Sequence, residues 1–398
     1  MNMNKFKLNL KEQAWLQDKD LQYIMMLLNQ NGDNARIVGG AVRDALLNSF
    51  NNQNKKIEDI DIATKLLPEE NIVILEKTGI KVIPTGLKHG TVTAVLNKKT
   101  FEITTLRKDI TTDGRHAEVE FSKDWLEDAN RRDFTLNALY LRLDGTVYDP
   151  LNGYDDIKAS KITFIGDANK RIREDALRIL RFYRFSSDHG IGNIDEEGML
   201  ATIKHKFLIG ALSGERVNNE LKKILSSERA SYIIPLIAEI GILKVILPQY
   251  QGYKSFLRYV KIENLFSLNN VMGRLSCLVP CDEKNMTEIS AKLKLSNKEK
   301  NLLISYCKPF KINNLSERTI RRELYYFGKN IIIHKLIYLN LLDIKTLNYI
   351  NDYKIPKIPL TGKDLINEGW QEGRDMGDKL KQFEKKWVRN DFKINQNK

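Results

Sequence analysis

The chain has 398 residues, and its 64 lysines and arginines against 51 aspartates and glutamates give a formal charge of +13. Hydrophobic residues make up 42% of the sequence and charged residues 29%, which supports two or three folded domains and excludes global disorder. The excess of positive charge favours an anionic partner, with nucleic acid the first candidate. A generic basic surface explains the charge alone equally well.

Cysteine content and hydropathy narrow the class of protein further. The three cysteines, Cys277, Cys281 and Cys307, are too few for a disulfide framework, and core packing explains them better than a zinc site does. They predict reduced thiols in a cytoplasmic protein. No stretch reaches the roughly 18 apolar residues that span a bilayer, and the first residues lack the apolar run of a secretory signal. We therefore expect neither an extracellular nor a membrane protein.

Helical and strand patterns alternate in the first part of the chain and give way to helical patterns later. The predicted helices of the first part repeat apolar residues at helical spacing and lie at 9–31, 41–47 and 69–78. The predicted strands are apolar or alternating runs and lie at 36–39, 57–63, 80–83, 90–96 and 100–106. From about residue 168 to 350 nearly all patterns are helical, and a lysine-rich helix is predicted over 375–389. The fold class is therefore α+β, a small β-sheet head followed by an all-helical neck, body and tail.

Asp59 and Asp61 form an acidic pair on the strand predicted over 57–63. At positions i and i+2 their side chains would project from one face of the strand, with Cα atoms roughly 6.5–7 Å apart. That spacing suits a pair of divalent cations such as Mg²⁺, which commonly hold the phosphates of a nucleotide. Glu102 becomes a third carboxylate if its strand is a neighbour. A solvated strand end and a solvent-facing alternation position are the ordinary alternatives.

The segment IVGGAVRD at 37–44 joins a strand to a helix through Gly39 and Gly40. Glycines let the backbone approach a phosphate closely, and the N-terminus of the following helix presents free N–H groups to an anion. Arg43, in the first helical turn, adds a charge-assisted contact with a triphosphate. A plain turn is the alternative. The segment precedes the acidic pair by about 20 residues, so one pocket can hold both.

The segment RRDFTLNAL at 131–139 interleaves Arg132, Asp133 and Asn137 with apolar residues. The apolar residues can anchor the segment while an arginine contacts a phosphate or a ribose. An ordinary helix start, with Asp133 as the N-cap residue, explains the pattern equally well.

The segment RIREDALRILRFYRF at 171–185 is predicted as a single amphipathic helix. Asp175 and Arg178, at i and i+3, offer an acceptor and a donor at fixed spacing, as reading the edge of a base requires. A surface ion pair is the alternative. On such a helix Arg181 lies toward the next face and Arg184 lies roughly opposite Asp175, so one ligand that touches all four residues requires a bend.

These segments, in this order, resemble the bacterial class II tRNA nucleotidyltransferases and poly(A) polymerases, a family of the DNA-polymerase-β-like superfamily. The resemblance is dense from about residue 36 to 225, and its motifs are IVGGAVRD, EDIDIAT, GLKHGTVTAV, FEITTLRKD, RRDFTLNALY, YDPLNGYDDI, REDALRILRFYRF and SGERVNNEL. The tail, IPLTGKDLINEGWQEGRDMGDKL to WVRNDF, also resembles the C-terminal end of the family. The implied organisation is a catalytic nucleotidyltransferase head, a neck for base selection and RNA binding, a helical body and a tail that contacts tRNA, at 1–153, 154–230, 231–350 and 351–398.

The resemblance also implies a role for each candidate residue. Asp59 and Asp61 would hold catalytic Mg²⁺ ions, whereas Glu102 is a catalytic candidate on the strand argument alone. Asp175 and Arg178 would form an amino-acid template that reads the Watson–Crick edge of CTP or ATP. The residues implied to bind the nucleotide are Gly39, Gly40, Arg43, Arg132, Asp133, Asn137, Asp175, Arg178, Arg181 and Arg184. Residues 107–120 match a flexible loop that the family uses when it switches nucleotide, with a plain hairpin loop as the alternative.

The function that the resemblance implies is addition of CCA to tRNA 3′ ends from CTP and ATP, with release of pyrophosphate. A poly(A) polymerase of the same fold is the nearest alternative, but residues 85–90, TGLKHG, look more like the CCA-adding side. A partial enzyme that adds only CC or only A stays open, as does the oligomeric state. A different class, an inactive RNA-binding module, is disfavoured by the acidic pair and Arg43, because a binding module needs no metal site.

Overall fold

The computed structural model of the chain describes residues 6–51, 56–111, 118–190, 194–310 and 316–393. It divides into two compact units, Met1–Ile246 and Leu247–Lys398. A mixed sheet lies in the first unit and helices build the second, so the predicted α+β class is confirmed. The finer division into head, neck, body and tail stays a prediction.

The strands of the first unit build one large sheet and one hairpin. In chain order they are β1 Phe6–Lys7, β2 Ala35–Val38, β3 Asp61–Thr64, β4 Lys81–Gly86, β5 Thr91–Leu96, β6 Lys99–Thr105, β7 Arg107–Thr111, β8 Glu118–Phe121, β9 Tyr140–Leu141 and β10 Thr146–Tyr148. The sheet has the order β1-β10-β9-β2-β3-β6-β5-β4, and β7 pairs with β8. Strands β3 and β6 are parallel, whereas the other neighbours in the sheet are antiparallel.

Burial alternates with period two in β6, whereas β2 is buried along its whole length. Val92 and Ala94 of β5 are buried, as are Phe101 and Ile103 of β6. Glu102, between the last two, is exposed. In β6 this pattern buries one face and leaves the other to solvent or to a ligand, whereas in β5 Thr93, between Val92 and Ala94, is buried as well.

The helices of the first unit surround this sheet and continue beyond it. In chain order they are α1 Lys19–Leu28, α2 Gly40–Asn51, α3 Pro68–Glu76, α4 Trp125–Arg131, α5 Gly153–Lys158, α6 Ala168–Glu174, α7 Leu177–His189, α8 Glu196–His205, α9 Gly214–Ser226, α10 Ala230–Glu239 and α11 Ile242–Ile246. Short 3-10 helices lie at Leu10–Glu12, Ala14–Gln17, Leu87–His89, Thr135–Asn137 and Lys206–Ala211.

Three predicted elements differ from the structure. The helix predicted over 9–31 is regular only in α1, because Asp18 caps that helix by accepting the N–H groups of Asp20 and Leu21. The strand predicted over 57–63 begins only at Asp61. The single helix predicted over 171–185 breaks between α6 and α7, with Asp175 in the extended conformation at the break.

The second unit is built from helices around its own core. In chain order they are α12 Lys254–Leu265, α13 Val271–Ser276, α14 Glu283–Lys292, α15 Asn297–Cys307, α16 Glu317–Phe327, α17 Lys329–Tyr338, α18 Ile344–Asp352, α19 Gly362–Asn367 and α20 Arg374–Arg389. The last of these agrees with the helix predicted over 375–389.

A buried polar cluster holds α12, α13 and α17 of the second unit together. Glu263 Oε2 accepts a hydrogen bond from Arg274 Nε at 2.5 Å, and both side chains are almost completely buried. Gly273 lies against the Tyr259 hydroxyl and His334 Nδ1, and a Cβ atom at this position would overlap both. A buried ion pair and a close approach of this kind demand one specific packing arrangement.

All three cysteines are free thiols in the second unit, as the composition predicts. Cys277 is buried, and Cys281 and Cys307 lie side by side with their Sγ atoms 2.8 Å apart.

Candidate active site

The carboxylates of the predicted metal site lie at the start of β3. Asp61 is the first residue of that strand and pairs with Glu102 in the parallel ladder with β6, so the two strands are neighbours as the third-carboxylate hypothesis requires. Asp59 lies two residues before the strand. The predicted strand therefore does not reach Asp59, because pairing with both neighbouring strands begins only at Asp61.

Negative charge accumulates at this strand end without full compensation. Asp61 as a whole residue is exposed to solvent, but the surrounding protein partly desolvates its carboxylate. The negative charges of Glu102 and Asp59 also repel this carboxylate. Together these effects raise the pKa of Asp61 above its ordinary value, against the opposing charge of Arg132. Among the described residues, no three carboxylate, imidazole or thiol groups form a complete metal centre.

A glycine turn faces the same carboxylate. Gly39 has φ +75°, in the left-handed region that favours glycine, and it connects β2 to α2. A Cβ atom at Gly39 would lie 3.9 Å from both Asp61 Oδ2 and Arg132 Nη1, so the turn, the acid and the arginine converge. Gly40 begins α2, which places Arg43 in the first helical turn as predicted.

A hydrogen-bonded chain links Arg43 to Arg181 through the third predicted segment. Arg43 Nη1 donates to Asn137 Oδ1 at 3.0 Å, and Asn137 Nδ2 donates to Asp133 Oδ1 at 3.1 Å. Asp133 Oδ2 then accepts from Arg181 Nε at 2.6 Å. Burial alone would raise the pKa of Asp133, but the Arg181 guanidinium and the Asn137 amide outweigh it and hold this pKa below the ordinary value. Asp133 follows α4 rather than capping a helix start, and it combines local partners, Phe134 N–H and Asn137, with the distant Arg181.

Asp128, which no sequence motif singled out, fixes the position of Arg132. Its carboxylate is 1% exposed and accepts hydrogen bonds from Arg131 Nε at 2.8 Å, from Arg132 Nη2 at 3.1 Å and from the Tyr140 hydroxyl at 2.7 Å. Burial acts to raise the pKa of Asp128, but the two arginines and Tyr140 lower it to about 2. The spacing of i+3 and i+4 from Asp128 to the arginine pair is the signal in the sequence that could have identified it.

The predicted template residues lie on either side of the helix break. Asp175 Oδ1 accepts the N–H of Leu177 at 3.1 Å, and its Oδ2 accepts from Arg216 Nη2 at 2.7 Å. Arg178, in the first turn of α7, is almost buried and donates to Glu174 Oε2 at 2.7 Å. Glu174 and Arg216 were missed by the sequence reasoning. Glu174 has the i+4 spacing to Arg178, but no local pattern connects Arg216 with Asp175.

Three of the predicted arginines surround one aromatic ring. The guanidinium carbons of Arg43, Arg181 and Arg184 lie 5.2, 5.3 and 4.1 Å from the centroid of Phe185. Arg184 Nε is also 2.8 Å from Glu220 Oε2, on α9. Arg184 therefore lies beside Arg181 and Arg43 at Phe185, and Glu220 faces both Arg181 and Arg184, whereas Asp175 and Arg178 have other partners. Arg43 and Arg184 both line a cleft of about 610 Å³.

The predicted flexible loop is described only at its two ends. Strands β7 and β8 pair with each other, in agreement with a hairpin around it. Residues 112–117, in the middle of the loop, lie outside the described residues.

Comparison with known families defines the class of this chain. Residues 35–163 match the model of the poly A polymerase head domain, and residues 193–253 match a model described as the probable RNA and SrmB-binding site of polymerase A. The sheet with its acidic strand end is thus a nucleotidyltransferase head of the poly(A) polymerase type.

Comparison with individual proteins defines the family. The chain is 35% identical to the mitochondrial CCA tRNA nucleotidyltransferase 1 of Mus musculus, over 98% of this chain and 90% of that protein. It is 39% identical to the CCA-adding enzyme of Geobacillus stearothermophilus over 59% of this chain and 56% of that enzyme. The crystal structure of the Bacillus stearothermophilus CCA-adding enzyme in complex with CTP superimposes with a TM-score of 0.74 at 28% identity, over 92% of each chain. The chain belongs to the family of CCA tRNA nucleotidyltransferases, as the motifs implied.

Two further properties agree with the expectations from sequence in their general form. Nucleotidyltransferases of this family generally use divalent metal ions. Within the described residues, no helix has both the length and the apolar character needed to cross a membrane.

Proposed function

We propose that this chain is an enzyme that adds CCA to the 3′ end of tRNA, using CTP and ATP and releasing pyrophosphate. The observation that carries the proposal is the convergence of Asp61, the Gly39 turn and Arg132, with Asp61 paired to Glu102 on the next strand. Relatives named for the same activity match almost the whole chain. A cytoplasmic location is part of the proposal and is supported by the three free thiols.

Asp59 and Asp61 are the proposed ligands of Mg²⁺, with Glu102 as a supporting carboxylate. Their oxygen atoms are the ligands that a hard divalent ion prefers, and the pKa of Asp61 is raised first by desolvation and then by the negative charges of Glu102 and Asp59. Two protein carboxylates fit this ion, because Mg²⁺ usually keeps waters or phosphate oxygens at its other positions. A bound divalent ion supplies positive charge for the phosphates and favours deprotonation of the attacking RNA hydroxyl.

The residues around the glycine turn are proposed to hold the sugar and the triphosphate. Gly39 and Gly40 allow close approach to the N-terminus of α2, and Arg43 in its first turn adds a positive charge. Arg132, held by Asp128, is proposed to contact the ribose. Because these donors are already fixed by other side chains, they need little reorganisation when charge develops on the phosphates.

Asp175 and Arg178 are proposed to select the base. Cytosine and adenine both present an exocyclic amino group, which a carboxylate can accept, whereas uracil and guanine present a carbonyl at the corresponding place. Arg178 supplies donors toward the neighbouring ring nitrogen. Arg181 and Arg184 remain proposed nucleotide contacts, and their position around Phe185 supports that role.

A nucleotide-incorporation assay tests the proposal. We expect a tRNA that lacks its CCA end to gain two C residues with CTP alone and the complete CCA with CTP and ATP. The variant Asp59→Ala should lose incorporation, whereas Asp155→Ala, at an exposed position of α5, should retain it. Unlimited addition of A would instead identify a poly(A) polymerase, addition of only CC or only A a partial enzyme, and binding of tRNA without incorporation an RNA-binding module.

A further inference from the structure

Helix α9 presents two opposite charges to the proposed base-selecting segment. Arg216 and Glu220 lie at i and i+4 of this helix and therefore on one face. Arg216 contacts Asp175 before α7, whereas Glu220 contacts Arg184 within α7 and lies 4.0 Å from Arg181. Helix α9 thus places a positive charge opposite Asp175 and a negative charge opposite Arg181 and Arg184.

Both oxygens of the Asp175 carboxylate are held from different directions. One accepts the Leu177 N–H at the start of α7, and the other accepts Arg216 Nη2 at 2.7 Å. The side chains of Asp175 and Arg216 are 22% and 21% exposed, so the pair is partly shielded from water yet open to a ligand. Asp175 itself lies in extended backbone between two helices, so the Leu177 N–H and Arg216 are the contacts that hold its side chain.

We propose that Arg216 is a positioning residue for nucleotide selection, which acts by holding the Asp175 carboxylate in the orientation that accepts the amino group of cytosine or adenine. This inference rests on the proposed function. An ionised carboxylate accepts hydrogen bonds and cannot donate them, so a fixed Asp175 favours an amino group and repels a carbonyl. A carboxylate free to rotate would lose this discrimination, because it could turn away from the carbonyl of uracil or guanine.

Arg178, the other proposed template residue, is also held by a partner of opposite charge, which supports a positioning role for Arg216. Arg178 donates to Glu174 Oε2 at 2.7 Å and to the carbonyl oxygen of Arg171 at 2.9 Å. Donor and acceptor are therefore each fixed by a partner of opposite charge. The charged partner of Arg178 lies in its own segment, with a further contact to the Arg131 carbonyl oxygen at 3.3 Å, whereas that of Asp175 lies on α9. Substitution at Arg216 should loosen the acceptor and leave the contacts of the donor in place.

Equilibrium binding of the four nucleoside triphosphates to the full-length protein tests the inference without tRNA. We expect the wild type to prefer CTP and ATP over UTP and GTP, and Arg216→Gln to reduce this preference at least about tenfold, equivalent to about 1.4 kcal/mol. Arg216→Lys keeps a charged donor and should restore part of the preference. Arg173→Gln, at an exposed arginine of α6, is the matched control and should bind as the wild type does.

A double substitution separates positioning from a general structural effect. If Arg216 acts through Asp175, adding Arg216→Gln to Asp175→Ala should cause no further loss of preference. Unchanged preference in Arg216→Gln, an equal loss of affinity for all four nucleotides, or additive losses in the double variant would overturn the inference. So would a wild type without preference for CTP and ATP. A wild type that binds selectively but transfers no nucleotide to tRNA would refute the proposed function and leave the inference standing.

Discussion

Asp128 gives the sharpest test of how the proposed sugar-binding arginine is held. Its buried carboxylate has a pKa of about 2 in the fold, against 3.8 for an ordinary aspartate. This difference corresponds to about 2–3 kcal/mol of folding stability at neutral pH. Removing the carboxylate also leaves Arg131 and Arg132 without their shared partner, a change that costs about 3–5 kcal/mol when both charges are fully buried. The side chains of Arg131 and Arg132 are 15% and 18% exposed, so water can partly solvate them, and we expect a loss near the lower end of that range.

We therefore expect Asp128→Asn to destabilise the first unit by about 2–3 kcal/mol at pH 7 and to lower kcat/KM for nucleotide addition. The two units need not unfold together, so a single global transition would be hard to interpret. Hydrogen exchange of the peptide at 125–141, measured by mass spectrometry in increasing urea, reports the local stability instead. Asp124→Asn is the matched control, because Asp124 caps the same helix and asparagine caps equally well.

The pH dependence provides the second half of this test. A carboxylate whose pKa is lowered by folding stabilises the fold above its unfolded pKa, and this contribution disappears as the pH falls through the folded pKa. The difference between wild type and Asp128→Asn should thus be constant from pH 7 to about pH 5 and shrink between about pH 4 and pH 2. A loss below about 1 kcal/mol at pH 7, or a difference independent of pH over that window, would refute the assignment of Asp128.

Three other changes test separate parts of the molecule. Asp61→Asn should abolish nucleotide addition without lowering the Tm, because it removes a desolvated and repelled carboxylate. The affinity of the wild type for the metal should fall as the pH decreases through the raised pKa of Asp61. Gly273→Ala should destabilise the second unit by about 1–3 kcal/mol in urea unfolding, since the added methyl group would overlap Tyr259 and His334. The control Gly377→Ala, in open space on α20, should stabilise this unit by up to about 1 kcal/mol. The affinity for tRNA should fall steeply between 50 and 200 mM salt while nucleotide choice changes little, because phosphate contacts release counterions; a salt-independent tRNA affinity would contradict this.

Local patterns in the sequence were sufficient for most of the elements that position the site. Alternation identified β5 and β6, and the pair Gly39-Gly40 marked the turn between β2 and α2, because these signals depend on residues close in the chain. The parallel pairing of β3 with β6 did not follow from the sequence alone. Glu102 can be a third carboxylate only if β3 and β6 are neighbours, and the pairing of Asp61 with Glu102 meets this condition.

The errors at Asp59 and Asp175 have a common physical origin. In both places a polar residue lies next to an apolar run, and the apolar periodicity was extended through it. The helix breaks at Asp175, whose carboxylate accepts the Leu177 N–H and contacts Arg216 on α9, whereas strand pairing of β3 begins only at Asp61. A contact across about 40 residues leaves no periodic trace in a single sequence, whereas the i+4 pair of Glu174 and Arg178 could have been recognised.

The net charge of +13 acquires a structural meaning from these contacts. The arginines proposed to bind the nucleotide are not free cations, because each of Arg132, Arg178 and Arg181 already donates to a carboxylate. A guanidinium has five N–H donors, so such a pairing fixes its plane and still leaves donors for a ligand. Donors that are fixed before the ligand binds favour ligands of one geometry, whereas mobile charges attract any anion. We therefore infer that the paired arginines provide selectivity, whereas the net excess of positive charge on the rest of the chain provides the salt-sensitive affinity for RNA.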